Sequence, residues 1–548
     1  MSAALASAAG RMLRLPPART TRIRVTRDIR IRARDGVRLL TDHYAPASAA
    51  AAPTVLIRTP YGRGGPVRLL GRIIAKRGFH AVIQSCRGTY GSGGTFEPLV
   101  HERADGADTL DWLRRQPWYV GSLGTFGASY QGFVQWALAA EAGDELAAMV
   151  AVVTASQTRD STYGGEGFSL DTVLTWVELL SAQKVPFLAR QMELKRGQPH
   201  LAAGLSHLPL ADADRVATGA TIPFFQEWLR EAEPGAAYWR NRVFDADLAR
   251  VTAPVLMIGG WQDIFLPAQL ADYAALRAAG GAPYLTIGPW THGGPRLLAA
   301  SIREGLGWLA AHQLPDPPPV RELPVRVFVG GGGGWRDLPA WPPPAEEIDF
   351  YLQASGGLSV AAPQDEANPT TFRYDPRDPT PALGGPRLVA QRAGRYDNTV
   401  LEARADVRTF TGPALSAPLE VVGPVSATVY VRSELAHFDV FVRLCDVDGR
   451  GRSWNLCDGL VRITPDRFAA DPDGVVAVSV PMWPVAHRFG PGHRLRVQVS
   501  GGAHPRYARN PGTGEPLGTA IALRAGRRAV FHDAGRPSAV HVRALSAR

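Results

Sequence analysis

The segment that most constrains the fold is GTFGASYQGFVQWALAA, residues 124–140, in which a serine separates a short apolar run from a helix-forming stretch. Ser129 follows the run LGTF and has Gly127 two residues before it and Gly132 three residues after it. Glycines on both sides leave room for a sharp strand-to-helix turn, the kind of turn that exposes a nucleophilic serine. The usual spacing there is Gly-x-Ser-x-Gly, whereas this chain has Gly-x-Ser-x-x-Gly. The segment alone is compatible with a nucleophile or with an ordinary helix N-cap serine.

Alternating apolar runs and helical segments surround this turn. Residues 53–60 and 78–88 are short apolar runs separated by a helical pattern at 67–77, and similar runs return at 253–261 and 282–290. Strand, helix and strand in succession predict parallel pairing in a sheet covered by helices. Before them, Ile23 to Leu40 alternates apolar and polar residues around an Asp-Gly turn, which predicts a hairpin.

Domain boundaries are predicted from the length of the chain and from changes in its residue pattern. A chain of 548 residues exceeds what one hydrophobic core supports, so several domains are expected. Helical patterns interrupt the strand-helix alternation, and after a Pro-rich stretch short alternating strands with Gly and Pro turns predict an all-β jelly roll. We predict an α/β-hydrolase domain of residues 22–150 and 251–324, an inserted helical cap of 151–250, and a C-terminal β jelly-roll domain of 325–548.

Three residues stand at strand ends in the chain order that α/β-hydrolases use for a catalytic triad, which is serine, acid, histidine. Ser129 follows LGTF, Asp263 follows VLMIGGWQ, and His292 follows YLTIGPWT. A serine needs a base to remove its proton and a third group to orient that base. Asp272 is a nearby competitor for the acid, but it lies within a helical pattern rather than at a strand end. The expected catalytic residues are therefore Ser129, Asp263 and His292.

Composition excludes several other function classes. The net charge of +10 comes from arginines scattered through the whole chain, which is typical of a solvated surface and not of a nucleic-acid site. Three cysteines, Cys86, Cys445 and Cys457, form neither a disulfide framework nor a zinc motif, so we expect a reducing compartment and no metal or other cofactor. The N-terminus lacks a signal-peptide pattern and no window has 18 apolar residues, so we expect a cytoplasmic protein without a membrane span.

Four motifs together resemble one known family. They are GASYQG at the serine, GWQD at the acid, GPWTHG at the histidine and RTPYGR at residues 58–63. This combination resembles the cocaine-esterase-like (CocE/NonD) family, whose members are related to Xaa-Pro dipeptidyl-peptidases and whose own elbow is Gly-x-Ser-Tyr-x-Gly. The resemblance extends from about Arg24 to the end of the chain and favours the nucleophile over the N-cap interpretation of Ser129. Cys86, before Arg87 and Gly88, departs from the small polar or acidic residue of many relatives, and we assign it no chemistry.

The family resemblance also implies further site features. The C-terminal jelly roll is expected to be of galactose-binding type and to close over the site. Tyr61 is expected to donate its hydroxyl to the oxyanion, alongside the backbone N–H of Tyr130. A donor fixed on a loop after a neighbouring strand fits the physical requirement for a preformed oxyanion hole.

Substrate preference follows from the residues beside the acid. α-Amino-acid ester hydrolases of this family place two acids after the catalytic aspartate to hold a substrate ammonium, but this chain has Ile264, Phe265 and Leu266 there. We expect a pocket lined by Phe265, Trp176 and Phe168. The cap offers further aromatic candidates, some of which are expected to be packing core: Phe224, Phe225 and Trp228.

Three functions are weighed on this basis. The first is a serine hydrolase that cleaves small carboxylic esters with an apolar acyl group. The second is an Xaa-Pro dipeptidyl-peptidase or other amide hydrolase, because Asp160, Glu166 or Glu178 of the cap could still supply a carboxylate. The third is a non-catalytic carbohydrate-binding protein with a decayed hydrolase domain, which the presence of Ser129, Asp263, His292 and Tyr61 disfavours.

Overall fold

The computed structural model of the chain describes residues 12–13, 15–47, 51–184 and 198–545. Most of the N-terminal segment used for the signal-peptide argument, and residues 185–197 of the cap, lie outside this part. The strands are β1 (Ile23–Arg32), β2 (Arg38–Pro46), β3 (Thr54–Thr59), β4 (His80–Ser85), β5 (Leu123–Ala128), β6 (Leu146–Val152), β7 (Tyr163–Gly164), β8 (Gly167–Phe168), β9 (Val255–Gln262), β10 (Tyr284–Thr291), β11 (Val325–Val329), β12 (Gly334–Leu338), β13 (Glu346–Leu352), β14 (Leu358–Ser359), β15 (Thr370–Tyr374), β16 (Val407–Thr411), β17 (Leu419–Ser433), β18 (Phe438–Val447), β19 (Ser453–Ile463), β20 (Val475–Phe489), β21 (Arg494–Ser500), β22 (Gly526–Asp533), β23 (Arg536–Pro537) and β24 (Ala539–Ala544).

The helices lie between these strands along the chain. They are α1 (Gly65–Ala75), α2 (Glu102–Arg114), α3 (Tyr130–Ala142), α4 (Arg159–Thr162), α5 (Leu170–Ser181), α6 (Pro199–Ser206), α7 (Ala213–Thr218), α8 (Pro223–Arg230), α9 (Leu266–Ala278), α10 (Pro295–Gln313) and α11 (Thr399–Glu402), with short 3-10 turns at Gly143–Glu145, Ala182–Lys184, Leu210–Asp212, Ala237–Trp239 and Asp245–Arg250. Within the described ranges, none of the helices combines the length and apolar character that a membrane crossing needs.

The first domain is built on a ten-stranded sheet in the order β1-β2-β4-β3-β5-β6-β9-β10-β11-β12. Strands β4, β3, β5, β6, β9, β10 and β11 run parallel, and β1, β2 and β12 join antiparallel at the edges. The parallel strands are buried because helices cover both faces, which is why they read as continuous apolar runs in the sequence. The sheet brings the C-terminal ends of β5, β9 and β10 to one edge, where Ser129, Asp263 and His292 follow.

The first sheet crosses one predicted domain boundary. Strands β11 and β12 extend this sheet, with β11 parallel to β10 and β12 closing the edge as an antiparallel hairpin. The sheet therefore continues past the predicted boundary at residue 325. The alternating pattern of VRVFV indicated a strand correctly but carried no information about which sheet the strand joins. The predicted cap start at 151 is also slightly early, since β6 continues to Val152.

The cap lies between β6 and β9, and its described part contains short helices and a small hairpin, β7–β8. The tip of this hairpin docks against the C-terminal domain: Arg462 donates its backbone N–H to the carbonyl of Gly165 at 2.9 Å. A Cβ on Gly165 would lie 1.6 Å from the carbonyl oxygen of Leu460, so only glycine permits this approach. The contact fixes the cap against the jelly roll.

The C-terminal domain packs an eight-stranded and a four-stranded antiparallel sheet face to face. Its core is rich in valine from alternate positions of the long strands, with Val429, Val442, Val478 and Val497 nearly inaccessible. Apolar residues at every second position bury one face of each sheet and leave the other polar. The fold class predicted from the sequence, an α/β-hydrolase domain with an inserted cap and a C-terminal β jelly roll, is confirmed.

Candidate active site

Ser129 occupies a strained turn between β5 and α3. Its backbone has φ of 60° and ψ of −125°, a region that side-chain-bearing residues rarely adopt, and its side chain makes no N-cap hydrogen bond. Its N–H donates to the Val152 carbonyl at 2.9 Å, and its own carbonyl accepts from the Thr154 hydroxyl at 2.9 Å. The turn is therefore held from the neighbouring strand end, and the hydroxyl is not used to cap the helix.

The two glycines of the elbow are required by close packing. A Cβ on Gly127 would lie 2.5 Å from the Gln131 carbonyl oxygen, and a Cβ on Gly132 would lie 2.3 Å from Thr154. Both contacts are shorter than real Cβ atoms show, so larger residues would push the helix away from the strand. This explains the Gly-x-Ser-x-x-Gly spacing in physical terms.

Asp263 and His292 form a direct pair at the ends of β9 and β10. His292 Nδ1 lies 2.6 Å from Asp263 Oδ2, and the carboxylate is fully buried. The other oxygen, Oδ1, accepts the backbone N–H of Phe265 at 2.8 Å. Both carboxylate oxygens are therefore satisfied, and the imidazole is held with its Nε2 available for other contacts.

Asp272, the competing acid, serves a different contact. It lies on α9 and accepts the backbone N–H of Ser156 at 2.7 Å and the Ser156 hydroxyl at 2.6 Å. These bonds tie the helix after Asp263 to the chain that leaves β6. Burial raises the pKa of Asp272 to about 7, with Asp245 adding to the rise and the Ser156 hydrogen bonds opposing it.

The raised pKa of Asp272 gives a stability prediction. The folded state holds the carboxyl proton from pH 4 to about 7, where the unfolded chain has released it, so the free energy of unfolding should fall as pH rises across that window. Between pH 5 and pH 8 this fall should be about 3 kcal/mol in wild type, and Asp272→Asn should remove it. Urea unfolding of both proteins at pH 5 and pH 8 measures it; equal pH slopes would contradict the assignment.

Tyr61 lies beside the elbow on the loop after β3. Trp176 donates its indole N–H to the Tyr61 oxygen at 3.0 Å, and the Tyr61 hydroxyl also interacts with the Ser129 side chain. Burial raises the pKa of Tyr61 to about 12, so the phenol keeps its proton at neutral pH. The Thr59 hydroxyl accepts both the Tyr61 N–H, at 3.1 Å, and the Gln131 amide, at 2.9 Å. Thr59 thus links the Tyr61 loop to the helix that begins after Ser129.

Tyr130 is anchored by a buried charged network beneath the elbow. Its hydroxyl donates to Glu102 Oε1 at 2.8 Å and accepts the Leu99 N–H at 2.9 Å. Glu102 in turn pairs with Arg58 of β3 at 2.9 Å, and neither charged group is more than 3% exposed. The backbone N–H of Tyr130 lies in the first turn of α3, where helical N–H groups have no intrahelical acceptor. The network fixes the position of that donor.

The C-terminal domain reaches the site as well. Trp483 of β20 donates its indole N–H to the Asp263 carbonyl at 3.1 Å, and the Gln262 amide donates to the Leu456 carbonyl at 2.7 Å. Leu388 lines the pocket beside Ser129, and its neighbour Arg387 forms a buried ion pair with Asp171 of the cap at 2.8 Å. The jelly roll therefore holds the acid loop and supplies part of the pocket wall.

A pocket lies at Ser129 and is partly open to solvent. Its wall is largely apolar and aromatic, with hydroxyls from the cap: Tyr61, Leu99, Ser129, Tyr130, Phe133, Thr154, Thr158, Ser161, Thr162, Thr172, Val173, Trp176, Trp228, Ile264, Phe265 and Leu388. The imidazole of His292 lies next to Phe265, which is part of this wall; the centroids of the two rings are 5.6 Å apart.

Two of the three predicted pocket residues, Phe265 and Trp176, line this wall, and the prediction for Phe168 is wrong. Phe168 is inaccessible and packs between Tyr163 and Phe225 in the core of the cap. The sequence marked Phe168 only as a cap aromatic, and aromatic side chains fill cores as well as pockets. Phe225 is likewise buried core, whereas Trp228 stacks on Trp176 with ring planes 3° apart.

The cap carboxylates considered for an ammonium site lie elsewhere. None of them is among the described pocket-lining residues. Glu166 is paired with Arg159 at 2.6 Å and with Arg467 at 2.9 Å, and Glu178 accepts a hydrogen bond from Gln198. Asp160 is exposed and accepts from the Gln157 amide.

Sequence comparison relates this chain to known hydrolases. A model described as X-Pro dipeptidyl-peptidase (S15 family) matches residues 35–294, and one described as X-Pro dipeptidyl-peptidase C-terminal non-catalytic domain matches residues 320–541. Cocaine esterase of Rhodococcus sp. (strain MB1 Bresler) is 30% identical over 537 residues, which cover 89% of this chain and 93% of that protein.

Solved structures agree on the fold. An aminopeptidase from the marine sediment archaeon Thaumarchaeota archaeon superposes with a TM-score of 0.79 at 23% identity, over 95% of this chain and 96% of that one. An α-amino acid ester hydrolase superposes with a TM-score of 0.81 at 23% identity and the same coverage. The fold of both domains is therefore shared with these proteins.

Proposed function

Because this chain belongs to the cocaine-esterase-like (CocE/NonD) family of S15 serine hydrolases, we propose that it hydrolyses small carboxylic esters with an apolar acyl group through an acyl-enzyme on Ser129. The observation that carries the proposal is the Asp263–His292 pair at 2.6 Å. Its imidazole lies next to Phe265, which lines the pocket that contains the strained Ser129. The best-supported substrates are small molecules whose acyl group fits the pocket.

The proposed reaction proceeds in two halves. His292 accepts the Ser129 proton as the hydroxyl oxygen attacks the ester carbonyl, and Asp263 holds the imidazole in the tautomer that can accept it. The tetrahedral intermediate collapses to an acyl-Ser129 ester, and His292 returns the proton to the departing alcohol. Water then attacks the acyl-enzyme by the same steps in reverse and releases the carboxylic acid.

The oxyanion that develops is stabilised by the Tyr61 hydroxyl and the Tyr130 backbone N–H. The indole of Trp176 already donates to the Tyr61 oxygen, so the phenol proton is free to point toward Ser129. Its raised pKa keeps that proton in place during the reaction. A donor positioned in advance stabilises the charged intermediate more than the neutral ester. It should therefore raise kcat and leave KM little changed.

Tyr61→Phe tests this donor because it keeps the ring and its packing. We expect kcat to fall by about 10²–10³ with KM little changed. Steady-state kinetics on a 4-nitrophenyl ester give both constants. A kcat within about threefold of wild type, which corresponds to about 0.7 kcal/mol, would remove Tyr61 from the oxyanion hole.

The lack of a carboxylate in the described pocket wall favours ester substrates over peptides with a free amino terminus. A buried ammonium must be paired with a carboxylate, and none lines the described pocket. A panel of 4-nitrophenyl acyl esters and Xaa-Pro 4-nitroanilides separates the two functions. We expect turnover of the esters and none of the anilides above background; efficient anilide cleavage would overturn the ester assignment.

A further inference from the structure

Strand β20 carries one extra residue where it passes the loop of Asp263. Between Met482 and Val485, three steps along β20 match only two steps along its partner β17. Trp483 and Pro484 therefore lie together opposite one residue, which is a β-bulge, and such bulges redirect side chains. Met482 and Val485 lie in the jelly-roll core, whereas Trp483 packs against the core of the first domain as well. The bulge thus directs the indole toward the first domain.

The indole of Trp483 is held at its edge and on its face. Its N–H donates to the Asp263 carbonyl at 3.1 Å, and the guanidinium of Arg506 lies 4.8 Å from the centroid of the ring. Arg506 pairs with the buried carboxylate of Asp458, which also accepts a hydrogen bond from Arg443 at 2.9 Å. Charge-assisted hydrogen bonds of this kind are short and strong. An ion cluster inside the jelly roll therefore fixes the position of the indole donor.

The loop that carries Asp263 is bound to two strands of the jelly roll. The Asp263 carbonyl accepts the Trp483 indole N–H at 3.1 Å, whereas its contact with the backbone N–H of Leu266 measures 3.4 Å. One residue earlier, the Gln262 amide donates to the Leu456 carbonyl of β19 at 2.7 Å. Contacts from β19 and β20 therefore hold the end of β9 at the residue that carries the acid side chain.

The position of this loop matters because the Asp263 carboxylate must meet one nitrogen of His292. Its Oδ2 lies 2.6 Å from Nδ1, and a displacement of about 1 Å in a catalytic group can cost about a hundredfold in rate. We propose that Trp483 is a positioning residue for the catalytic acid, so that the C-terminal domain contributes to catalysis through the acid loop. The inference rests on the proposed function and adds to it a requirement for this domain.

Trp483→Phe tests the proposal, because phenylalanine keeps a ring beside Arg506 and removes the indole N–H. We expect kcat for 4-nitrophenyl acetate to fall about tenfold. KM should change little, since Trp483 lies outside the described wall of the pocket at Ser129. The acid limb of the kcat/KM profile should move to lower pH by about half a unit, because a displaced carboxylate stabilises the protonated imidazole of His292 less.

A double-mutant cycle with Asp263→Asn separates positioning from folding. Asparagine keeps the backbone carbonyl that Trp483 binds, but it removes the carboxylate whose position the indole is proposed to set. In that background Trp483→Phe should lower the remaining kcat by less than about twofold. A tryptophan that only supports the fold would lower kcat by the same factor in both backgrounds.

The matched control is Trp308→Phe. Trp308 also donates its indole N–H to a backbone carbonyl beside β9, that of Pro254, at 3.3 Å. Pro254 precedes β9 and Asp263 follows it, so the control makes the same chemical change at the end of the strand away from the site. Trp308→Phe should leave kcat and the acid limb of the pH profile unchanged.

Thermal unfolding shows whether each variant is folded. A folded Trp483→Phe protein that retains more than about half of wild-type kcat would overturn the inference, as would an equal loss in the Asp263→Asn background. If Trp483→Phe does not fold, Gln262→Met removes the other contact between the acid loop and the jelly roll. It should give the same fall in kcat and the same shift of the acid limb, and an unchanged kcat there would also overturn the inference.

A separate result would overturn the proposed function, namely failure of the wild-type protein to hydrolyse any ester. The rate at which a fluorophosphonate probe labels Ser129 then decides the inference, because labelling should still be about tenfold slower in Trp483→Phe. Equal labelling rates would overturn the inference, and a wild-type protein that takes up no probe and hydrolyses no ester would overturn both proposals.

Discussion

Replacing Ser129 with alanine should lower kcat for a 4-nitrophenyl ester by about 10⁶ while the protein stays folded. The loss is large because the acyl-enzyme pathway ends when its nucleophile is removed, and His292 and Asp263 have no proton left to move. Alanine also lacks the hydroxyl that interacts with Tyr61, but it retains the backbone bonds of the elbow to Val152 and Thr154. Steady-state kinetics with thermal unfolding as the folding check measure the effect.

The matched control is Ser169→Ala. Ser169 also immediately precedes a helix and also makes no side-chain capping bond, but it lies outside the described pocket wall. Its variant should keep kcat within about threefold of wild type. If Ser129→Ala retained more than a hundredth of wild-type kcat with its fold intact, the nucleophile would lie elsewhere.

Asp263→Asn should lower kcat by about 10⁴, by analogy with the same change in a serine protease. An asparagine can turn its N–H group toward His292 Nδ1, which then becomes the acceptor, and the proton moves to the nitrogen that must receive the Ser129 proton. KM should change little, because Asp263 is fully buried and lies outside the described wall of the pocket. Kinetics at saturating and subsaturating ester separate the two constants.

Comparison with Asp272→Asn shows which of the two aspartates is the acid of the triad. The same chemical change is made nine positions along the chain, at a buried carboxyl that bonds to Ser156 and not to a histidine. It should leave kcat within about threefold of wild type, while it alters the pH dependence of stability. A large loss of kcat in Asp272→Asn together with a normal kcat in Asp263→Asn would exchange their roles.

Local sequence patterns were sufficient for the strand-end placement of Ser129, Asp263 and His292. Each follows a short apolar run. Buried parallel strands have such runs in their own sequence, so they can be recognised without knowledge of distant segments. Parallel strands bring their ends to one edge of the sheet, so the contact of Asp263 with His292 follows from topology. The elbow spacing was ambiguous on its own, and the close approach of Gly132 to Thr154 gives its physical reason.

Contacts between distant segments could not be predicted. The indole of Trp483 reaches the Asp263 carbonyl across 220 positions of the chain, and no periodicity or motif marks a tryptophan for that contact. The same limit applies to β11–β12 and to Phe168: a strand pattern does not indicate which sheet the strand joins, and an aromatic residue of the cap does not reveal whether it faces the core or the pocket. Leu388 belongs to this class, since it enters the pocket from a loop of the other domain.

The central claim is that Ser129 is an activated nucleophile, and covalent labelling tests it most directly. A fluorophosphonate probe reacts with serines whose proton a base can remove, so the wild-type protein incubated with the probe should carry one adduct. Peptide mapping by mass spectrometry should place that adduct on Ser129, and Ser129→Ala should remain unlabelled. An adduct on a different residue, or efficient ester hydrolysis by a wild-type protein that takes up no probe, would contradict the account.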